Sequence, residues 1–67
     1  MPYDDNLGVE TWWDLGLKDS TAIWFVQKHR DELRVIDYYE NSGEGLDFYA
    51  DILDSKPYKY DRHIAPH

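Results

Sequence analysis

The fold of this 67-residue chain depends on the stretch Trp13-Asp14-Leu15-Gly16-Leu17-Lys18-Asp19-Ser20-Thr21-Ala22-Ile23-Trp24-Phe25. Its pattern is typical of the end of one strand, a short polar connection containing Gly16, and the start of a second strand. Because residues 22–26 are continuously apolar, both faces of the second strand must be covered, and we expect it inside a sheet. The stretch also sets a carboxylate, Asp14, near the end of an apolar strand.

The rest of the chain adds two more strands and a helix. We expect strands at about residues 9–15, 21–28 and 33–39, a helix at about 44–55, and a last strand at about 62–65. The first three strands have short links, which predicts an antiparallel meander. The order β-β-β-α-β is an α+β arrangement, and we expect a single domain over residues 1–67.

Side-chain periodicity predicts which faces are buried. In the first strand, alternation sets Trp13 and Leu15 on one face and Trp12 and Asp14 on the other. In the third strand, the same alternation predicts that four residues share one face: Leu33, Val35, Asp37 and Tyr39.

The helix has its own apolar stripe, with four residues at i, i+3, i+4 and i+7: Leu46, Tyr49, Ala50 and Leu53. Ser42 is a plausible cap at its start, and Asp47 would lie near the positive end of the helix dipole. Lys56-Pro57 should end the helix.

Composition excludes several classes of protein. Fourteen acids against seven bases give a net charge of −7, which is unlike the basic faces that bind nucleic acid. There is no cysteine, so a disulfide or thiolate metal site is absent. With no cysteine to complete a ligand set beside the three histidines, a zinc finger is not expected. No apolar run is long enough to span a membrane, and we expect a soluble, cytoplasmic protein.

Six blocks of sequence occur in a characteristic order. They are Pro2-Tyr3-Asp4, Trp13-Asp14-Leu15-Gly16, Asp19-Ser20-Thr21-Ala22-Ile23-Trp24-Phe25, Ile36-Asp37-Tyr38-Tyr39-Glu40, Gly43-Glu44-Gly45-Leu46-Asp47 and His63-Ile64-Ala65-Pro66-His67. Together they resemble the start of the C-terminal, ribonuclease-H-like nuclease domain of the large terminase subunit of tailed bacteriophages. The resemblance covers almost the whole chain and implies a partial ribonuclease-H-like fold.

The resemblance implies a function for Asp14. Terminase nuclease domains cut DNA during packaging with divalent cations, Mg²⁺ or Mn²⁺, held by acidic residues, and Asp14 matches the catalytic aspartate of the first strand. In that family a second acid follows the block that ends here at His67. The resemblance therefore implies a truncated nuclease unit in a bacterial host, inactive alone, with DNA as a partner of the intact family.

The other acids have competing interpretations. Asp19 is a second candidate metal ligand across the Gly16 turn, but a turn acceptor preparing the second strand is the simpler interpretation. An approach of Asp37 to the same site is an alternative, but an edge-strand or solvated carboxylate is the favoured interpretation. Asp14 itself, without the resemblance, fits an ordinary strand-end residue. His63 and His67 would share a strand face without a third metal ligand.

A second hypothesis makes the chain a small acidic interaction module that self-associates or binds a basic partner. Eleven aromatic residues on so short a chain (three Trp, six Tyr, two Phe) suggest that one face is covered by something else. The last strand would also be an open sheet edge, and such edges recruit partners. We therefore expect a homodimer, formed through that edge or through an aromatic face.

Overall fold

In the described part of the chain, four strands form one mixed sheet and one helix packs on it. The computed structural model describes residues 3–16 and 20–65. In these ranges the elements are β1 (Val9–Leu15), β2 (Ser20–His29), β3 (Glu32–Ser42), α1 (Leu46–Asp54) and β4 (Tyr60–Ile64). The strand order is β3-β2-β1-β4. β2 pairs antiparallel with β1 and β3, whereas β4 pairs parallel with β1.

The predicted α+β fold and antiparallel meander are confirmed. β2 is an inner strand, as its apolar run predicts, and β4 lies at an edge of the sheet. β1 has the predicted bounds. β2 and β3 are longer than predicted, β4 begins earlier, and α1 is shorter.

The start of the helix differs from the prediction. Ser42 is the last residue of β3, where it pairs with Ser20, and Gly45 occupies the N-cap position without a side-chain hydrogen bond. Ser42 is therefore not the cap, because the β2–β3 ladder extends to it. Asp47 does lie in the first turn of α1, where its negative charge suits the helix dipole.

The hydrophobic core lies between α1 and one face of the sheet, which we call the core face. Its buried members are Val9, Ile23, Phe25, Tyr49 and Leu53. The predicted helix stripe is right for Tyr49 and Leu53, but Leu46 is 76 % exposed and Ala50 is exposed as well. In the described ranges no helix is long and apolar enough to cross a membrane.

A β-bulge in β3 changes which side chains share a face. Phe25 pairs with Asp37 and Val26 pairs with Val35, so Ile36 is an extra residue on β3. An extra residue reverses the alternation beyond it. Leu33 and Val35 therefore lie on the opposite face from Asp37, and the predicted common face for these residues is wrong.

The connection between β2 and β3 is tighter than predicted. His29 pairs with Glu32, so the loop consists of Arg30 and Asp31. Arg30 has a φ of 58°, in the left-handed region that suits short hairpin turns.

Gln27 attaches the N-terminal segment to β2. Its side chain is almost fully buried, at 2 % exposed. Its Nε2 donates hydrogen bonds to the backbone oxygens of Asp4 (2.7 Å) and Leu7 (3.0 Å), and its Oε1 accepts one from the Asp4 N–H (2.9 Å). One amide thus satisfies three backbone groups that lie outside the strands, which is the usual reason for a buried polar side chain.

We expect Gln27→Leu to lower the free energy of unfolding by about 2 kcal/mol, because buried backbone groups lose their hydrogen bonds at similar side-chain volume. Urea unfolding followed by circular dichroism measures this. The matched control is Asn6→Leu, the same loss of an amide at an exposed position of the same segment, with an expected change within about 0.5 kcal/mol. Equal stability of Gln27→Leu and the wild type would contradict the anchoring role.

Candidate functional site

Asp14 lies on the face of the sheet opposite α1, which we call the open face. It is the next-to-last residue of β1, is exposed, and pairs with Ala22 of β2. Ala22 in turn pairs with Glu40 of β3. With strands about 4.8 Å apart, Asp14 and Glu40 flank the small side chain of Ala22, and their Cα atoms are about 10 Å apart.

Tyr38 links these two acids electrostatically. Its hydroxyl donates to Glu40 Oε2 at 3.1 Å. The pKa of Tyr38 is raised, first by partial desolvation, then by this hydrogen bond and by the negative charges of Glu40 and Asp14. This end of the open face is therefore acidic, with the carboxylates of Asp14 and Glu40 and the Tyr38 hydroxyl bound to Glu40. Sequence reasoning missed Tyr38 and Glu40 as neighbours of Asp14, and the cross-strand register is the signal that would have found them.

The structure does not bring Asp37 to Asp14. Asp37 pairs with Phe25 on the core face, whereas Asp14 is on the open face, so the sheet lies between the two carboxylates. Asp37 is in the edge strand β3, in agreement with its interpretation as an edge-strand carboxylate. Asp19, the second candidate metal ligand, lies outside the described residues.

Asp37 instead joins β3 to the segment that follows α1. Its Oδ2 accepts hydrogen bonds from Lys56 Nζ at 2.8 Å and from the Tyr58 hydroxyl at 3.1 Å, and its Oδ1 accepts one from the Tyr38 N–H at 2.8 Å. Lys56 Nζ also lies 5.3 Å from the centre of the Phe25 ring. Both partners of the ion pair are mostly buried, with side chains 24 % and 30 % exposed.

The pKa values of this cluster follow from these contacts. Burial alone would raise the pKa of Asp37, but the hydrogen bonds from Lys56, from the Tyr38 N–H and from Tyr58, together with the charge of Lys56, lower it overall. Burial and the neighbouring Asp37 carboxylate raise the pKa of Tyr58 to about 12. The cluster therefore favours an ionised Asp37 held by neutral and positive partners, which is a structural role.

His63 and Thr11 form a second polar contact, between β4 and β1 on the core face. Thr11 is fully buried. Its Oγ1 accepts a hydrogen bond from Trp13 Nε1 at 2.8 Å and is hydrogen-bonded to His63 Nδ1. This threonine explains the position of His63 without a metal. His67, its suggested partner, lies outside the described residues.

The described residues do not complete a metal centre. Within residues 3–16 and 20–65, no group of three or more His, Cys, Asp or Glu side chains could hold a metal ion. The acids of α1 are on the other side of the sheet from Asp14.

An apolar pocket of about 210 Å³ lies at the same end of the sheet as Asp14. It is lined by Trp13, Leu15, Leu46, His63 and Ala65. It lacks the charged groups that would recognise a phosphodiester.

Comparison of the chain with protein-family models, with curated proteins and with solved structures gives no match.

The pH dependence of stability should report the Asp37 cluster. Because the pKa of Asp37 is lowered in the folded state, its stabilisation is present above the unfolded value of about 3.9 and is lost as pH falls through the folded pKa. We expect Asp37→Asn to cost about 1–2 kcal/mol at pH 7, and the difference from the wild type to shrink below about pH 4.

The control is Asp51→Asn, which neutralises an exposed acid on α1. Its free energy of unfolding should stay within about 0.5 kcal/mol of the wild type between pH 7 and pH 3. Denaturant titrations at several pH values measure all three proteins. A cost for Asp37→Asn that is the same at pH 7 and pH 3 would contradict the ionic nature of the cluster.

Proposed function

We propose that this chain is the first part of a ribonuclease-H-like nuclease unit of the phage-terminase kind. In this proposal Asp14 supplies one carboxylate ligand to Mg²⁺ or Mn²⁺, and the remaining ligands come from outside these 67 residues. The protein works in the cytoplasm of a bacterial host, where the intact family packages and cuts DNA. The observation that supports this most directly is the parallel pairing of β1 with β4.

The parallel pairing matters because it sets the carboxyl ends of β1 and β4 at the same edge of the sheet. Trp12 pairs with Ile64, and Asp14 is two residues further along β1. A carboxylate carried just beyond β4 would therefore lie near Asp14. Neighbouring strands are about 4.8 Å apart, which suits two carboxylates that share a cation.

The same geometry argues against DNA cleavage by this chain alone. Two-metal cleavage needs a cluster of ligands that hold two cations about 4 Å apart. Glu40 is two strands away from Asp14, and the net charge of −7 repels DNA. The chain thus contributes a ligand and a scaffold, and cleavage requires the complete unit.

Paramagnetic Mn²⁺ tests the role of Asp14 in the chain as it stands. Titration of ¹⁵N-labelled protein should broaden amide signals most strongly around Asp14 and Ala22, with a Kd of about 1 mM or weaker because few ligands are present. Asp14→Asn should remove this local broadening. A plasmid-nicking assay with the same cation should show no cleavage.

The matched control is Asp47→Asn, which neutralises an acid in the first turn of α1, on the other side of the sheet. It should leave the broadening around Asp14 unchanged. If Mn²⁺ broadens signals near all exposed acids equally, or if Asp14→Asn has no effect on the pattern, Asp14 is not a metal ligand and the proposal fails.

A further inference from the structure

The open face carries a band of apolar side chains that α1 does not cover. Its large members are only partly buried: Trp12 is 37 %, Leu33 51 %, Val35 50 %, Tyr38 44 % and Ile64 41 % exposed. Trp24 lies among them, with its ring 5.1 Å from that of Tyr38. In the cross-strand register, Tyr38, Trp24, Trp12 and Ile64 form one continuous row across all four strands. A patch of this extent is typical of an interaction surface.

Charged residues lie at both ends of this apolar band. At one end, Asp14 and Glu40 flank Ala22. At the other end, six residues further along the same strand, is the exposed side chain of Lys28. The distance between Ala22 and Lys28 along β2 is about 20 Å. The open face is therefore acidic at one end and carries an exposed ammonium group at the other.

The four charged groups at the Lys28 end cancel, because Lys28 and Arg62 are balanced by Glu10 and Asp61. Arg62 Nε donates to Glu10 Oε2 at 3.1 Å. The pKa of Glu10 is lowered, first by its hydrogen bond from Trp12, then by Arg62 and Lys28, against the opposing effect of burial. The Asp61 carboxylate lies against Gly8, where a Cβ atom would be. The Lys28 end is therefore neutral overall, whereas the other end carries the acidic pair Asp14 and Glu40.

We propose that two copies of this chain pack through their open faces about a two-fold axis that runs across the strands. Such an axis reverses the strand direction and sets β2 over β2 of the partner copy. Lys28 of each copy then lies above the small side chain of Ala22 in the other copy, between the carboxylates of Asp14 and Glu40. The apolar bands of the two copies cover each other in the middle, as in a two-layer sheet packing.

The charges on the open face favour a two-fold axis across the strands over one parallel to the strands. A two-fold axis parallel to the strands would also bring the open faces together, but it would set the acidic end of one copy over the acidic end of the other. Like charges at close range disfavour that arrangement. The axis across the strands instead sets each acidic end against a lysine, and a two-fold interface repeats this contact twice.

The size of the face indicates a weak dimer. Four strands at about 4.8 Å and a length of about 20 Å give roughly 400 Å² of flat area per copy. Two copies therefore bury roughly 800 Å², which is below the roughly 1,000 Å² expected of a stable specific interface and fits a weak, transient one. Dissociation is expected between about 10 µM and 1 mM, the range typical of small, transient contacts.

Sedimentation velocity in EDTA, from about 10 µM to about 1 mM, tests this arrangement without any metal. We expect the wild type to dimerise as the concentration rises. Lys28→Glu and Glu40→Lys should each weaken dimerisation about tenfold, since each reversal acts at both symmetric contacts. An equimolar mixture of the two variants should dimerise more strongly than either alone, because the carboxylate introduced in one variant then faces the ammonium group introduced in the other.

Two matched variants control for net charge. Lys59→Glu and Glu44→Lys make the same charge changes at exposed residues outside the strands and should dimerise like the wild type. Circular dichroism confirms that each variant folds.

A monomer at about 1 mM would overturn the inference. A dimer that is indifferent to both reversals would also overturn it and would indicate pairing through the edge of β4. A third contrary result is a mixture that associates no better than its components. The Mn²⁺ titration tests whether Asp14 binds a metal, and sedimentation in EDTA tests whether the chain dimerises. Each proposal can therefore fail without the other.

Discussion

β2 is apolar on both faces, whereas the described part of the chain supplies one helix to cover them. This mismatch is the constraint on which the rest of the structure depends. Ile23 and Phe25 are fully buried beneath α1, and burial of such side chains is worth about 1.5–3 kcal/mol each. On the other face, Val26 is buried, and Trp24 is half-buried with its ring 5.1 Å from that of Tyr38. The core face carries the hydrophobic core, whereas the open face leaves large apolar side chains partly exposed.

The bulge at Ile36 lets one strand serve both faces. Without the extra residue, Asp37 would continue on the open face with Val35, next to the aromatic band. With it, Asp37 lies on the core face, where Lys56 and Tyr58 neutralise and bind it. Because of the bulge, the Asp37 carboxylate is not on the open face. Its hydrogen bonds from Lys56 and Tyr58 hold the segment between α1 and β4 against β3. A β-bulge is a common device for redirecting a side chain in this way.

The proposals for metal binding and for self-association meet at Asp14. As a metal ligand it needs other carboxylates beside it, and in the dimer it faces a lysine. Both proposals use one property, the exposed carboxylate of Asp14 at the end of an inner strand. Elements that completed a nuclease unit would compete with a second copy for the same region of the sheet.

Local pattern determined much of this protein. The apolar run at residues 22–26 made β2 an inner strand, alternation correctly separated Trp13 from Asp14 in β1, and the change of period after Gly43 revealed α1. These predictions succeed because each depends on neighbouring residues along the chain. The candidate site was only partly predictable: the identity of Asp14 is local, but its neighbours are not.

Tertiary structure decided what depends on register. The bulge, the pairing of β4 with β1, and the separation of Asp37 from Asp14 all follow from which residues face each other across strands. A shift of one residue in register moves every side chain to the other face, and no local pattern in β3 signals it. The sequence by itself therefore specified the elements and the carboxylate, whereas cross-strand pairing decided which charges and aromatic rings the open face presents.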